Sequence, residues 1–387
     1  MNGSLSERGV FKRPNFTFTN HYDQHKKYSN IKGLFFDGVS YHGKPTKVFS
    51  WYGVPESLEL GEKAPAVVLV HGGGGTVFPD WVKKWTDHGY IAISVALEGQ
   101  LPGERKTDSK TVMKWPTHKY SGPYRQGFFL DIMNKKLENQ WFYHAVADII
   151  LANSLIRSFP EVDSTQVGIT GISWGGILTN VVTGIDNRFD FSIPVYGCGY
   201  LHQAPTYMEQ LKSHTPESKQ FYLTIWEPSL YIPLQQQPTL FINGTNDGHF
   251  SMNSFTKTYN ASDTKKYLHL EHEMKHGHYA GWNKVIIYSF ADYITKESEA
   301  PLNLSYKKDE GTEIDYEGEV NQAVAYFTTD TANWGGNHYK WIETEAKVSK
   351  SNKTISTELP DSALYYFINA TSDDGLTYST PMRKVMK

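Results

Sequence analysis

The segment Gly171-Ile172-Ser173-Trp174-Gly175 sets a hydroxyl in a Gly-x-Ser-x-Gly pattern. Its flanks give the pattern its meaning. Val167-Gly168-Ile169-Thr170 reads as a strand, and Trp174 onward, with Ile177, Leu178 and Val181, reads as a helix. A strand turning sharply into a helix lifts the hydroxyl out of a sheet, so Ser173 is the expected nucleophile of an acyl transfer. Trp174 N–H would point at the oxygen that gains charge. A second segment, His71-Gly72-Gly73-Gly74-Gly75-Thr76, follows the apolar run Ala66 to Val70. Glycines let backbone N–H groups approach an oxyanion without a side chain in the way, so Gly73 or Gly74 is expected to share that oxygen with Trp174. A phosphate-cradling loop fits less well, because no Gly-Lys-Ser/Thr follows and the Gly-x-Gly-x-x-Gly spacing fails.

Such a nucleophile needs a base, and the base a carboxylate, expected in the chain order Ser, acid, His. Gly244-Thr245-Asn246-Asp247-Gly248 follows the strand-like Thr239 to Asn243 and offers Asp247 as the acid. The run Glu271-His272-Glu273-Met274-Lys275-His276-Gly277-His278 offers three histidines. His278, which follows Gly277 and precedes the last helical pattern, is the expected base, with His276 as the alternative. No second group with metal-ligand spacing accompanies this cluster, so neither a metal nor another cofactor is expected. The single cysteine, Cys198, excludes an internal disulfide and is expected to be buried and inert.

These residues need a scaffold that gathers loops. From about residue 66, short β-branched runs alternate with longer helical patterns, which predicts an α/β class with a doubly wound, mostly parallel sheet. The expected strands are Ala66 to Val70, Tyr90 to Val95, Val167 to Thr170, Phe191 to Val195, Thr239 to Asn243 and Tyr267 to Leu270, preceded by about 65 residues outside the sheet. Ligands of such sheets sit at the carboxyl ends of the strands. Expected helices run from Trp81 to His88, capped by Asp80, from about Glu138 to Ser158, and from about Gly281 to Lys296.

Two stretches, Glu98 to Leu137 and Gly199 to Pro238, are too long to be simple connections and are expected to wall a substrate cleft. The first carries Trp115, His118, Tyr120, Tyr124, Arg125, Phe128 and Phe129; the second carries His202, Tyr207, Tyr222, Trp226 and Tyr231. Of these, Trp115, His118, Tyr120, Arg125 and Trp226 are the expected substrate contacts. After Ala300-Pro301 the pattern alternates, as in Gln322 to Phe327 and Ala363 to Ile368, predicting a small antiparallel sandwich. The division is therefore a catalytic domain at 1–300 and an accessory domain at 301–387.

The composition is that of an ordinary globular chain: 39% hydrophobic and 20% charged residues, with a formal net charge of -3. That charge gives no reason to expect nucleic acid or an anionic membrane as partner. The apolar runs fall short of the roughly 18 residues that span a bilayer. Aromatic residues reach 14% and suit an aromatic-lined cleft for a small-molecule or polysaccharide ester.

Together, the glycine loop, the Ser173 turn and the ordered Asp247 and His278 resemble the α/β-hydrolase superfamily over about residues 35 to 298. Within it, Phe142-Tyr143-His144-Ala145-Val146-Ala147-Asp148, Gly171-Ile172-Ser173-Trp174-Gly175-Gly176, Pro194-Val195-Tyr196-Gly197-Cys198-Gly199 and His276-Gly277-His278 resemble bacterial proteins grouped with acetyl xylan esterases and prolyl oligopeptidase-like hydrolases. The chain departs from the better-known acetyl xylan and cephalosporin C deacetylases, with Trp174 in place of Gln and Glu98-Gly99-Gln100 in place of Arg-Gly-Gln. The resemblance implies a serine esterase, with a carbohydrate acetyl ester as the expected substrate. A serine peptidase is the second expectation, although the short stretch before residue 66 leaves no room for the propeller such peptidases usually carry. A non-catalytic carbohydrate-binding or scaffolding protein is the third. The C-terminal sandwich resembles accessory domains of secreted hydrolases, so a secreted or periplasmic location is expected.

Overall fold

The computed structural model describes residues 2–22, 27–107, 113–125, 136–307, 311–330 and 339–386. Its first sheet is built from β1 (Phe16–Thr19), β2 (Ile31–Tyr41), β3 (Lys44–Gly53), β4 (Ala64–Val70), β5 (Ile91–Val95), β8 (Val162–Ile172), β9 (Phe191–Val195), β10 (Thr239–Asn246) and β11 (Lys266–Lys275). The short β6 (Lys106–Thr107) and β7 (Met113–Lys114) pair with each other in the first insertion. The spatial order is β1-β2-β3-β5-β4-β8-β9-β10-β11. From β5 to β11 every pairing is parallel. The core strands β5 and β9 are buried at every position, the state of a parallel strand covered on both faces.

The sheet begins earlier than the sequence predicts. Strands β1 to β3 extend it with antiparallel pairings, β3 lying against β5, so residues 16–53 are part of the catalytic sheet. Their faces are unequally covered, as the mixed burial along β2 records, and this blurs the apolar runs by which a fully buried strand is recognised.

Helices α1 (Asn2–Glu7), α2 (Pro79–Asp87), α3 (Trp141–Ile156), α4 (Trp174–Thr183), α5 (Pro205–Lys212), α6 (Pro216–Phe221), α7 (Met252–Ala261), α8 (His278–Trp282) and α9 (Val285–Thr295) complete this layer. All residues of α3 are buried, which explains its apolar-rich sequence, although His144, Asp148, Asn153 and Ser154 are buried with the rest. The N-terminal segment helps cover it, with Ser4 Oγ 3.0 Å from the Tyr143 hydroxyl and Ser154 Oγ donating to Val10 O at 2.9 Å. Two helix expectations change. Phe78, not Asp80, is the N-cap of α2, because Pro79 takes the first helical position, where no N–H is needed; Asp80 instead pairs with Lys27 at 2.6 Å. The last predicted helix is two, α8 and α9, separated at Asn283 and Lys284.

The C-terminal strands are β12 (Asn303–Tyr306), β13 (Glu313–Glu317), β14 (Val320–Thr328), β15 (Ile342–Ser349), β16 (Thr354–Thr357), β17 (Tyr365–Ser372), β18 (Thr377–Ser379) and β19 (Arg383–Lys384). All pair antiparallel, in the order β12-β13-β16-β15-β14-β17-β18, with β19 on β17. This second sheet covers the outer edge of β11. Leu270 N–H donates to Ser379 Oγ at 2.7 Å, and Leu270 O accepts from Asn369 Nδ2 at 3.0 Å. An edge strand whose backbone groups are answered by side chains no longer offers a template for another strand. Among the described residues, no helix is long and apolar enough to cross a membrane.

Candidate active site

Ser173 sits between the end of β8 and the start of α4 with φ of 61° and ψ of -116°. A side-chain-bearing residue held at positive φ carries on the order of 1–3 kcal/mol of strain, which surrounding structure must impose. The neighbours do so. A β-carbon on Gly175 would fall 1.9 Å from Val70 O, and one on Gly171 would fall 2.2 Å from Gly175 O. Only glycine fits at either place, so the turn is as tight as its pattern suggests. Ser173 N–H is tied to Val195 O at 2.9 Å.

The Ser173 hydroxyl lies 2.9 Å from His276 Nε2, and His276 Nδ1 lies 2.9 Å from Asp247 Oδ2. The carboxylate accepts, so the proton belongs on Nδ1 and Nε2 accepts from the serine, the tautomer a general base requires. Asp247 is buried, and its other oxygen accepts from His249 N at 2.6 Å and Phe250 N at 3.0 Å. The three groups come from the carboxyl ends of β8, β10 and β11.

The expected base was His278, and the structure corrects this: His276 holds both contacts. His278 is the first residue of α8, and its Nε2 accepts from Gly72 N–H at 2.9 Å instead. The cue for His278 was the preceding glycine. Gly277, however, has an extended φ of 173°, and a β-carbon there would meet nothing within 4 Å, so that glycine places nothing. His276 directly follows β11, as Asp247 follows β10, but β11 runs five residues beyond the expected end at Leu270, so the sequence did not show it. One contributor escaped sequence reasoning altogether. Tyr196, at the end of β9 with φ of 63°, reaches across with its hydroxyl to Lys275 O at 3.1 Å and Gly277 O at 3.4 Å, and its ring lies 4.6 Å from that of His276.

The glycine loop packs directly on the Ser173 turn. A β-carbon on Gly72 would fall 3.0 Å from Ser173 Cβ, and one on Gly73 would fall 2.7 Å from Trp174 Cδ1. His71 fastens the loop: its Nδ1 donates to Gly72 O at 2.8 Å, while its Nε2 accepts from Leu97 N–H at 3.2 Å. Burial lowers the His71 pKa to about 4, which keeps the ring neutral in this double role. Gly73 and Gly74 N–H make no hydrogen bond among the described residues. They remain the loop's candidate oxyanion donors beside Trp174 N–H, the first amide of α4.

The expected substrate contacts divide. Trp115 Nε1 donates to Gly74 O at 3.0 Å, beside the glycine loop. Arg125 lies over the Trp174 ring at 5.5 Å, its Nη2 is 3.0 Å from where a Gly73 β-carbon would stand, and buried Glu98 accepts from its Nε at 3.4 Å. Those two do border the site. His118 packs edge-on against Phe35 at 5.3 Å, and Tyr120 is half exposed, its carbonyl accepting from Lys47 N–H at 2.9 Å; neither has a hydrogen bond or ring contact to the triad. Trp226 is fully buried, stacked near Phe142 at 4.4 Å with Nε1 donating to Gln140 Oε1 at 2.6 Å. Tyr207 and Tyr222 are buried as well, Tyr207 with its ring 6.1 Å from that of Phe250, so these aromatics pack the second insertion onto the body of the domain. Phe128 and Phe129 lie outside the described residues. Cys198 is a buried free thiol whose pKa is pushed up by burial. Among the described residues, no group of three or more His, Cys, Asp or Glu side chains is placed to hold a metal ion.

The model of the acetyl xylan esterase family, AXE1, matches residues 10–219, more than half of the 387-residue chain. The chain belongs to the acetyl xylan esterase family. The matched range contains the glycine loop and Ser173, while Asp247 and His276 lie beyond it and are joined to Ser173 by geometry. An acetyl xylan esterase from Paenibacillus sp. R4 superposes with a TM-score of 0.59 at 18% identity, covering 76% of this chain and 94% of that one. The acylaminoacyl peptidase of Pyrococcus horikoshii superposes at 0.53 with 20% identity, covering 71% and 44%. These likenesses establish the α/β-hydrolase fold. A probable dipeptidyl-peptidase 5 of Aspergillus terreus is 25% identical over 154 residues, 38% of this chain. The match spans 18% of that relative's length.

Proposed function

We propose that this member of the family is a serine carboxylic ester hydrolase that removes short acyl groups, acetyl foremost, from a carbohydrate. The observation that carries the reading is the unbroken relay from Ser173 through His276 to Asp247, closed by two hydrogen bonds of 2.9 Å. Ser173 Oγ attacks the ester carbonyl as its proton passes to His276 Nε2, and Asp247 steadies the imidazolium. The carbonyl oxygen gains its charge between Trp174 N–H and the Gly73–Gly74 amides. His276 then gives the proton to the leaving alkoxide, freeing the sugar and leaving an acyl-Ser173 ester. Water, deprotonated by His276, adds to that ester and releases the acid.

The family match supports the acyl group and the sugar. The crowding of the glycine loop by Arg125 and Trp174 supports a short acyl chain. Acetate release from acetylated oligosaccharides and from acetyl, butyryl and octanoyl esters of one alcohol tests the reading. Turnover should be greatest for acetyl and absent in Ser173→Ala; no acetate from any acetylated sugar, with turnover of simple acetyl esters, would leave only a general esterase. A serine peptidase is the second reading, favoured by the dipeptidyl-peptidase relative. Cleavage of peptide amides at rates matching the acetyl esters would put it first.

A further inference from the structure

Of the two histidines in His276-Gly277-His278, one serves the nucleophile, and the other faces the opposite wall of the same site. His278 Nε2 accepts the N–H of Gly72 at 2.9 Å across 206 positions of sequence. The bond joins the chain that carries the base to the loop that carries the oxyanion donors. A β-carbon on Gly75 would lie 2.8 Å from the same nitrogen, so the loop wraps closely around the ring. Phe78 and Trp282 flank His278 at 5.0 and 6.2 Å between ring centroids.

The bonds of Gly72 explain what this contact can do. Its carbonyl already accepts from His71 Nδ1 at 2.8 Å and from Gly75 N–H at 3.0 Å. With its N–H given to His278, both polar groups of Gly72 are fixed, and Gly73 N–H is the next amide along a chain that can no longer swivel. Were the Gly72 N–H unanswered, the His71–Gly72 peptide would lose this anchor, and the Gly72–Gly73 peptide, with Gly73 N–H in its plane, would be held through the Gly72 carbonyl alone. An oxyanion hole works because its donors are already aimed when the charge appears.

We propose that His278 is a positioning residue: by accepting the Gly72 N–H it fixes the glycine loop so that the following amide is aimed at the transition-state oxygen. It touches neither Ser173 nor, on this account, the ester. Burial supports the role, lowering the His278 pKa to about 3, so the ring stays a neutral acceptor wherever His276 works as a base. The inference rests on the serine hydrolase reading above and adds a second histidine with a separate task.

Two replacements separate the task from simple packing. His278→Phe keeps a planar ring and removes the acceptor, while His278→Asn restores an acceptor oxygen in a smaller side chain. Each full-length variant is compared with wild type by acetyl-ester kinetics, by the rate at which a fluorophosphonate labels Ser173, and by hydrogen exchange of a peptide covering 71–76, at matched thermal midpoints. His278→Phe should lower kcat about 10- to 100-fold with little change in KM, slow labelling similarly and speed exchange in 71–76; removing one oxyanion donor outright costs about 10²–10³. His278→Asn should recover part of each. Unchanged exchange, or faster exchange with unchanged kcat and labelling, overturns this inference while leaving the hydrolase reading intact. A wild-type chain that neither turns over esters nor takes label at Ser173 removes that reading and this one with it.

Discussion

His276 and His278 are two positions apart and differ in everything that matters to a base. The first stands where β11 stops, with Asp247 behind it and Ser173 in front. The second opens a helix and answers a backbone amide. Tyr196 holds the first in place through the carbonyls on either side of it. A single neutral hydrogen bond contributes about 1 kcal/mol, so Tyr196→Phe should reduce kcat roughly five-fold, with KM and the thermal midpoint little changed. Steady-state kinetics beside a thermal melt check this, and an unchanged kcat would mean the His276 loop is held by packing alone. The places of Ser173 and Asp247 after strands could be read from sequence because each follows an apolar run and obeys a spacing rule. The choice between the histidines could not, because it depends on where β11 ends, and element ends are the least determined feature of a sequence.

The parallel strands were legible because burial on both faces makes them continuous apolar runs, and β4, β5 and β9 fall within two residues of their expected bounds. Strands β1 and β2 were not, because their partial exposure mixes polar residues into the pattern; β3 was missed although Val48 to Gly53 are all buried. The wall residues failed for another reason. An aromatic residue in a long insertion can face a ligand or can form the insertion's own core, and composition does not distinguish these. Trp226, Tyr207 and Tyr222 are buried, Trp226 against Phe142 and Gln140 and Tyr207 near Phe250, and so tie the insertion to the rest of the domain. Trp115 and Arg125 instead border the glycine loop. Glu98 shows why the departure from Arg-Gly-Gln is tolerated: the buried carboxylate faces a cation brought in from Arg125.

Across the whole fold, burial lowers the pKa of five histidines, His71 and His144 to about 4, His278 to about 3, and His118 and His249 in the same direction. An exposed histidine in the unfolded chain takes its proton near pH 6.5, so between that value and about 4 the unfolded state binds more protons. Stability should therefore be full above about pH 6.5 and fall on acidification, by up to about 1.4 kcal/mol per pH unit for each of His71, His144 and His278. Asp148 acts in the opposite sense, because burial holds its carboxyl well above the usual range and its contribution improves as pH falls. Asp190 is raised by burial in the same way, but the five histidines outnumber these two carboxyls, and urea midpoints measured from pH 8 to pH 4 should drop below about pH 6.5. A flat profile there would mean that these rings keep their protons in the folded state.

The relay from Ser173 through His276 to Asp247 is open to labelling by a fluorophosphonate followed by peptide mapping. The label should sit on Ser173 in the wild-type protein and be absent from Ser173→Ala, and its rate should fall at least about 10³-fold in His276→Ala, since the members of such a relay act as a unit. Label on another residue, or His276→Ala reacting at the wild-type rate, would contradict it.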